Sequence, residues 1–166
     1  MGVTPRIRDA NPGDWPAIWA IVREVVVAAD TFTYDPQMSE EEARALWMVA
    51  SPGRTTVAVE GTEVSGTANM YANRAGPGAH VASASFMVAS AARGRGVGRA
   101  LAEDALAWAP AAGFRAMQFN AVAETNTAAV ALYRSLAFSI VGTVPEGFDH
   151  PEHGLVGLHV MHVKLR

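Results

Sequence analysis

Apolar residues along this chain follow two rhythms, and the switches between them mark its elements. Trp15, Ile18, Trp19, Val22, Val25, Val26 and Ala29 recur at the three- and four-residue spacing of a helix with one buried face. Asn11-Pro12-Gly13-Asp14 supplies its start, with Asn11 as cap, Pro12 at the first helical position and an acid behind. The pattern breaks from Thr31 to Pro36. Ser39 and Glu42 then form a capping box, and Ala43, Leu46, Trp47 and Ala50 continue a second helix to the turn at Ser51-Pro52-Gly53. Ahead of both helices, Thr4 to Asp9 reads as a short strand.

From Thr55 onward the rhythm shortens. Thr55 to Glu60 and Glu63 to Tyr71 are β-rich runs around a Gly61-Thr62 hairpin signal, and His80 to Val88 is a further strand. Val97 to Ala109 is helical and stops at Pro110 and Gly113. Arg115 to Val122 is a strand, Asn126 to Ala137 a helix, and Ser139 to Val144 and Leu155 to Leu165 are strands joined by a loop bearing Pro, Gly and His. The order β-α-α-β-β-β-α-β-α-β-β predicts an α/β (α+β) fold. Its sheet is mixed and mostly antiparallel, of six to seven strands, with about four helices on its faces. The turn-rich stretch Ala72 to Ala79 is a loop inside it. With no repeat and no linker, residues 1–166 are expected to form one domain.

Composition removes whole classes of chemistry. The net charge is −3, so nothing draws the chain to nucleic acid in general. The single lysine, Lys164, stands three residues from the end, which excludes a phosphate-loop or Schiff-base lysine elsewhere. There is no cysteine, hence no disulfide, no thiolate nucleophile and no cysteine-bound zinc. No metal is expected, since His150-Pro151-Glu152-His153 lacks ordered ligand spacing. No apolar run approaches the roughly 20 residues of a membrane span, and Met1 to Arg6 has no secretory core. A cytoplasmic protein without a membrane partner is the expectation.

The segment that carries chemistry runs from Phe86 to Leu101. An apolar strand ends near Val88, and Gly94, Gly96 and Gly98 follow at alternate positions before a helix. Glycines let successive backbone N–H groups converge on one anion, and the helix N-terminus adds partial positive charge. A Walker loop would need a lysine, and a dinucleotide fingerprint has Gly-x-Gly-x-x-Gly instead. A cradle for a phosphate or pyrophosphate and a plain Gly-rich turn both fit these residues alone.

Arg93-Gly94-Arg95-Gly96-Val97-Gly98 resembles the Arg/Gln-x-x-Gly-x-Gly/Ala signature of the GNAT superfamily of acetyltransferases. A second block, Asn126 to Phe138, is similar to that family's Asn-x-x-Ala-x-x-Leu-Tyr-x-x-x-Gly-Phe, with Ala137 in place of the glycine. The resemblance, closest to the phosphinothricin and amino-acid acetyltransferase branch, implies acetyl-CoA as donor and the GNAT fold. It implies that Arg93, Gly94, Arg95, Gly96, Val97 and Gly98 hold the pyrophosphate. Phe86, Met87 and Val88 would pair with the pantetheine arm, Asn126 would bond it, and Tyr133 would sit near the sulfur as the acid that protonates the leaving thiolate. Asn126 also reads as a helix cap and Tyr133 as a core aromatic.

In that branch a strand glutamate often serves as base. Here the matching position is Ser83, which cannot do so; His80, Asp35, Glu124, His150 or a water chain are left as candidates. Phe119 to Asn126 resembles a stretch of yeast acetyltransferases that act on proline analogues, which implies Asn120 on the acceptor side, orienting the amine or polarising the acetyl carbonyl. A structural asparagine bonded across the strands fits Asn120 equally. By resemblance, Phe32 and Tyr34 would wall the acceptor pocket and Asp35 would face an ammonium. The expected function is acetyl transfer to a small-molecule amine, an amino acid or analogue, by direct attack in a ternary complex. A protein or peptide acetyltransferase and a non-catalytic acetyl-CoA binding module are the rivals, and a homodimer is expected from family habit alone.

Overall fold

The computed structural model describes residues 3–166; Met1 and Gly2, part of the N-terminal stretch read above, lie outside the described residues. Seven strands form one sheet: β1 (Arg6–Asp9), β2 (Arg54–Glu60), β3 (Glu63–Ala72), β4 (Val81–Val88), β5 (Ala116–Ala123), β6 (Ser139–His150) and β7 (Gly154–Lys164). Four α-helices cover it: α1 (Trp15–Ala28), α2 (Glu40–Trp47), α3 (Val97–Ala111) and α4 (Thr127–Ser135). The strand order is β1-β2-β3-β4-β5-β7-β6, every pair antiparallel except β4–β5. This is the expected mixed sheet.

Ser39 starts α2 as the sequence signals, whereas Asn11 caps a 3-10 turn, Pro12–Asp14, that leads into α1 at Trp15. Asn11 accepts the Gly13 N–H while Asp14 accepts the Asn11 N–H, and Ser39 and Glu42 exchange the same pair of bonds. Ile18, Ile21, Val22, Val25 and Val26 bury the inner face of α1 against Ala43 and Trp47 of α2 and against Val57 and Met87 of the sheet. Each such side chain contributes roughly 1.5–3 kcal/mol of apolar burial. On the other face, Val97, Leu101, Ala105 and Ala109 of α3 pack with Ala68, Met117, Phe119 and Phe138. Gly66 of β3 makes that docking close: a Cβ there would stand 2.7 Å from Val97 Cγ1.

Several boundaries differ from the sequence reading: α2 ends at Trp47, short of Ala50, and α4 ends at Ser135 instead of Ala137. Helix α3 runs past Pro110 to Ala111, because the Ala112 N–H still reaches the Trp108 carbonyl beyond the proline. The Pro/Gly segment after Val144 does not end its strand. Val144 pairs with Leu158 and Phe148 with Val156, so the extra residues around Pro145-Glu146-Gly147 bulge out and β6 resumes to His150. A bulge is where a proline can sit within a sheet. The β6–β7 hairpin is longer than expected, with His150 at its tip.

The feature that positions the site is the β4–β5 seam. These parallel strands pair only at Val81–Ala116 and Ala82–Met117. Beyond that, β4 stays bonded to β3 through Val88 while β5 stays bonded to β7. The two strands therefore part, and β4 presents an unpaired edge from Ser83 to Val88.

Candidate functional site

A groove of about 810 Å³ opens where the strands part. Its floor is Ser83 to Val88 of β4, and its far wall is Phe119 to Ala123 of β5 with Asn126, Leu132 and Tyr133 of α4. One end is the glycine turn. Gly94 and Gly96 take φ of +75° and +82°, which L side chains rarely adopt, and a Cβ at either would meet no atom within 4 Å. The cradle is therefore open on the side where these residues approach the groove. In α3 the Ala100 N–H is bonded to the Gly96 carbonyl at 3.0 Å. The amides of Val97, Gly98 and Arg99 precede that first bond, so this end of the groove carries the unpaired donors and partial positive charge of a helix start. The guanidinium-bearing residues Arg93 and Arg99 line the same end.

The middle of the groove holds an aromatic cluster. The Tyr133 ring lies 4.6 Å from that of Phe119, 5.9 Å from Phe138 and 6.2 Å from Phe86, centroid to centroid. Burial pushes the Tyr133 phenol well above its ordinary value, so it stays protonated throughout the neutral range. Asn126 caps α4, its Oδ1 accepting the Ala129 N–H at 3.3 Å. Beside it, the Thr125 hydroxyl is buried in the groove wall without a partner.

At the other end, side chains from separate segments meet. Phe32 and Tyr34 stack at 5.6 Å on the loop after α1, and Tyr71, Ser83, Ser85, Asn120 and His150 share the lining with Asp30. The Tyr34 phenol is raised chiefly by burial and further by Tyr71, with the Ser85 hydroxyl opposing the shift. Asn120 sits in a bulge of β5: Phe119 pairs with Met161 and Val122 with His159, leaving one residue too many on β5. Its Nδ2 donates to Asn73 Oδ1 at 2.7 Å, and its Oδ1 accepts from Gln118 Nε2 at 3.0 Å. The cross-strand bonding weighed from the sequence is present, at the edge of the groove.

Of the residues named from the sequence, Phe32, Tyr34, Ser83, Phe86, Met87, Val88, Arg93, Gly94, Gly96, Val97, Gly98, Asn120, Asn126 and Tyr133 line the groove. Arg95 and Asp35 do not. Arg95 turns outward to Glu60 at 3.1 Å, and Asp35 accepts the Gln37 N–H at 2.8 Å and closes its own turn. Among the candidate bases, His80 is exposed outside the lining, and Glu124 accepts the Gly157 N–H at 2.6 Å, joining β5 to β7. His150 alone of that group reaches the groove. Asp30, Tyr71, Ser85 and Thr125 were not foreseen. Pairing β3 with β4 sets Tyr71 opposite Ser83, a register the order of residues does not announce.

Residues 19–138 match the sequence pattern of the acetyltransferase (GNAT) family. The chain belongs to that family. The family is one of acetyltransferases. A GCN5-related N-acetyltransferase from Kribbella flavida superposes with a TM-score of 0.95 at 62% identity, over 98% of each chain. A phosphinothricin acetyltransferase from Sinorhizobium meliloti in complex with acetyl-CoA gives 0.85 at 27% identity, over 98% of this chain and 89% of that one. The N-acetyltransferase aca1 of Schizosaccharomyces pombe is 32% identical over 85 residues, 51% of this chain and 41% of that protein. The chain spans less than half the length of the curated relatives it matches.

The groove fits acetyl-CoA on two counts. The positive-φ glycines and helix start suit a pyrophosphate, and the free β4 edge can pair with an amide-bearing arm. Among the described residues no helix is long and apolar enough to cross a membrane.

Proposed function

We propose that this single-domain GNAT enzyme acetylates the amine of a small molecule, an amino acid or analogue, by direct attack in a ternary complex. The observation that carries this reading is the groove itself: a backbone anion cradle at one end and a small polar, aromatic-walled chamber at the other, joined by the free edge of β4. Acetyl-CoA supplies the activated acyl group. The Arg93–Gly98 turn holds its pyrophosphate, and Phe86, Met87 and Val88 hold the pantetheine arm in register. The amine nitrogen bonds to the acetyl carbon as the carbon–sulfur bond breaks. Tyr133, kept protonated by burial, donates its proton to the departing sulfur and regains one from the newly acylated nitrogen, while the proton the ammonium sheds before attack leaves through water.

Similarity to the phosphinothricin enzyme supports a small amine. Phe32 and Tyr34 wall the chamber, and Asp30, one residue before their loop, supplies a negative charge that favours an incoming ammonium. The proposal retains a cytoplasmic enzyme and a homodimer, the latter supported by Val141, Val144 and Leu155, large apolar residues exposed on the β6–β7 hairpin.

The test has two stages. Acetyl-CoA should raise the melting temperature, and thiol release should then be screened against amino acids, proline analogues, polyamines and short peptides. Turnover confined to peptides would replace the small-amine reading. Binding with no turnover of any amine would leave a non-catalytic acetyl-CoA module.

A further inference from the structure

Charge is divided unevenly along the groove. Among the described residues, the lining holds two arginines, Arg93 and Arg99, and both belong to the glycine turn and the first turn of α3. Arg99 is engaged locally: its Nη2 donates to Ser135 Oγ at 2.8 Å, and its Nη1 stands 3.5 Å from Glu103 Oε1. Arg74, which follows the rim residue Asn73, lies outside the lining. Its Nη1 donates to the Asn73 carbonyl at 3.4 Å, and its stem packs against Gly78 within its own loop. His150 adds no positive charge. Its Nδ1 accepts the N–H groups of Glu152 at 3.1 Å and His153 at 3.3 Å, which a doubly protonated ring cannot do. The chamber end is left with one charged residue, the acid Asp30.

The other polar groups there are neutral. Tyr71 lies opposite Ser83, and the alternation of β4 sets Ser83 and Ser85 on the face where Met87 packs with the α1 cluster. The Tyr34 phenol approaches Ser85 and Tyr71 from the loop after α1. Hydroxyls both donate and accept, so they can bond an alcohol or an amine. They bring no charge to balance a carboxylate. A carboxylate drawn into this lining would be disfavoured twice: it sheds hydration with no cation in exchange, and it approaches Asp30, a like charge. An ammonium gains from the same Asp30. We propose that the acceptor is an amine without an acidic group, an amino alcohol or a diamine, and that the chamber rejects free amino acids by charge. This rests on the acetyl-transfer reading above. Of the amino acids and analogues named there, it keeps the analogues that have lost the carboxylate by reduction or decarboxylation.

The test uses pairs that differ at the carboxyl group: leucine with leucinol, and lysine with 1,5-diaminopentane. Calorimetry on the enzyme saturated with coenzyme A reads acceptor binding without turnover. Leucinol and the diamine should bind at least about tenfold more tightly than the matching acids. Thiol release from acetyl-CoA should follow the same order in kcat/KM, carried mostly by KM. Raising sodium chloride from about 0.05 to about 0.5 M should narrow the gap, because salt screens Asp30. Asp30→Asn should narrow it by about threefold or more at low salt, and salt should then change it little. Asp30→Ser removes the same charge with a smaller side chain, so an equal narrowing there separates charge from shape. Acids that bind and turn over as well as their partners would overturn the proposal and leave acetyl transfer standing. A preference that survives both substitutions and high salt unchanged would overturn it too, since its origin would then be steric. Thiol release from none of the four amines, with acetyl-CoA still raising the melting temperature, would instead strike the small-amine reading itself.

Discussion

At the α3 end of the groove the ligand-facing groups are main-chain amides from one short turn, Arg93 to Arg99. At the chamber end they are side chains gathered from Asp30, Phe32 and Tyr34, from Tyr71, from Ser83 and Ser85, from Asn120 and from His150. The two ends answer to different physics. A turn that aims consecutive N–H groups at one point needs particular φ values, and those dictate glycine at set positions. A chamber built of side chains needs only that several strands and loops end near one another, and its residues can vary one at a time. The first construction suits a ligand that never changes, the second an acceptor that differs between relatives.

The sharpest way to break this comparison is at Gly96. Its φ of +82° penalises any side chain, and the open space beside it would let a glutamate reach over the amide cradle with the wrong charge. For the parent, acetyl-CoA at a hundredfold over Kd adds about 2.7 kcal/mol, a shift of roughly 5–10 °C in a domain of this size. Gly96→Glu should abolish the shift in a thermal melt. A retained shift would mean that the turn is not the anion site.

Tyr133→Phe probes the junction of the two ends. The ring would still fill its place among Phe86, Phe119 and Phe138, while the proton donor is lost. We expect kcat to fall by about a hundredfold, the lower range for a general acid, with acetyl-CoA affinity unchanged by calorimetry. An unaltered kcat would leave Tyr133 as a packing residue. Its buried phenol bears on the pH profile too. A group raised well above its ordinary value stays protonated at neutral and mildly alkaline pH, so no loss of the acid should limit kcat there.

The same contrast explains what could be read from the sequence. Gly94, Gly96 and Gly98 announce themselves, because a backbone requirement leaves a residue-type signature at fixed spacing. Asn126 and Tyr133 are similarly legible, being two positions on one short helix. The chamber is not. Nothing in the order of residues says that Tyr71 faces Ser83, a consequence of the β3–β4 register. Nothing says that a bulge at Pro145 to Gly147 lets β6 continue and carry His150 to the groove. Arg95 and Asp35 fail in the opposite direction. Each sits within the right segment, yet one turns to Glu60 and the other closes its own turn. Proximity in sequence fixes the backbone of a turn far better than the aim of each side chain on it.

A smaller test concerns the chamber's rim. Asn120 bridges β5 to Asn73 beyond the end of β3, across the parted strands. Asn120→Ala removes the bridge at an exposed site where water can replace it, a net loss of about 1 kcal/mol. KM for the amine should rise about fivefold with kcat nearly constant. A comparable fall in kcat would place Asn120 on the acetyl carbonyl instead of at the rim.

The smallest effect should come from the contact that ties α1 to the start of the cofactor turn. Glu24 Oε1 accepts the Ser90 N–H at 2.7 Å, on the helix whose end leads into the Phe32–Tyr34 loop. If the two ends of the groove are mechanically separate, Glu24→Ala should loosen only the turn. Helix α1 is held independently by Ile18, Ile21, Val22, Val25 and Val26, all buried, and gains nothing essential from one exposed hydrogen bond. Acetyl-CoA should then bind two- to threefold more weakly, about half a kcal/mol, while KM for the amine stays unchanged. Equal losses at both ends would show that α1 transmits the state of the glycine turn to the chamber. The backbone-built and side-chain-built ends would then have to be treated as one coupled site.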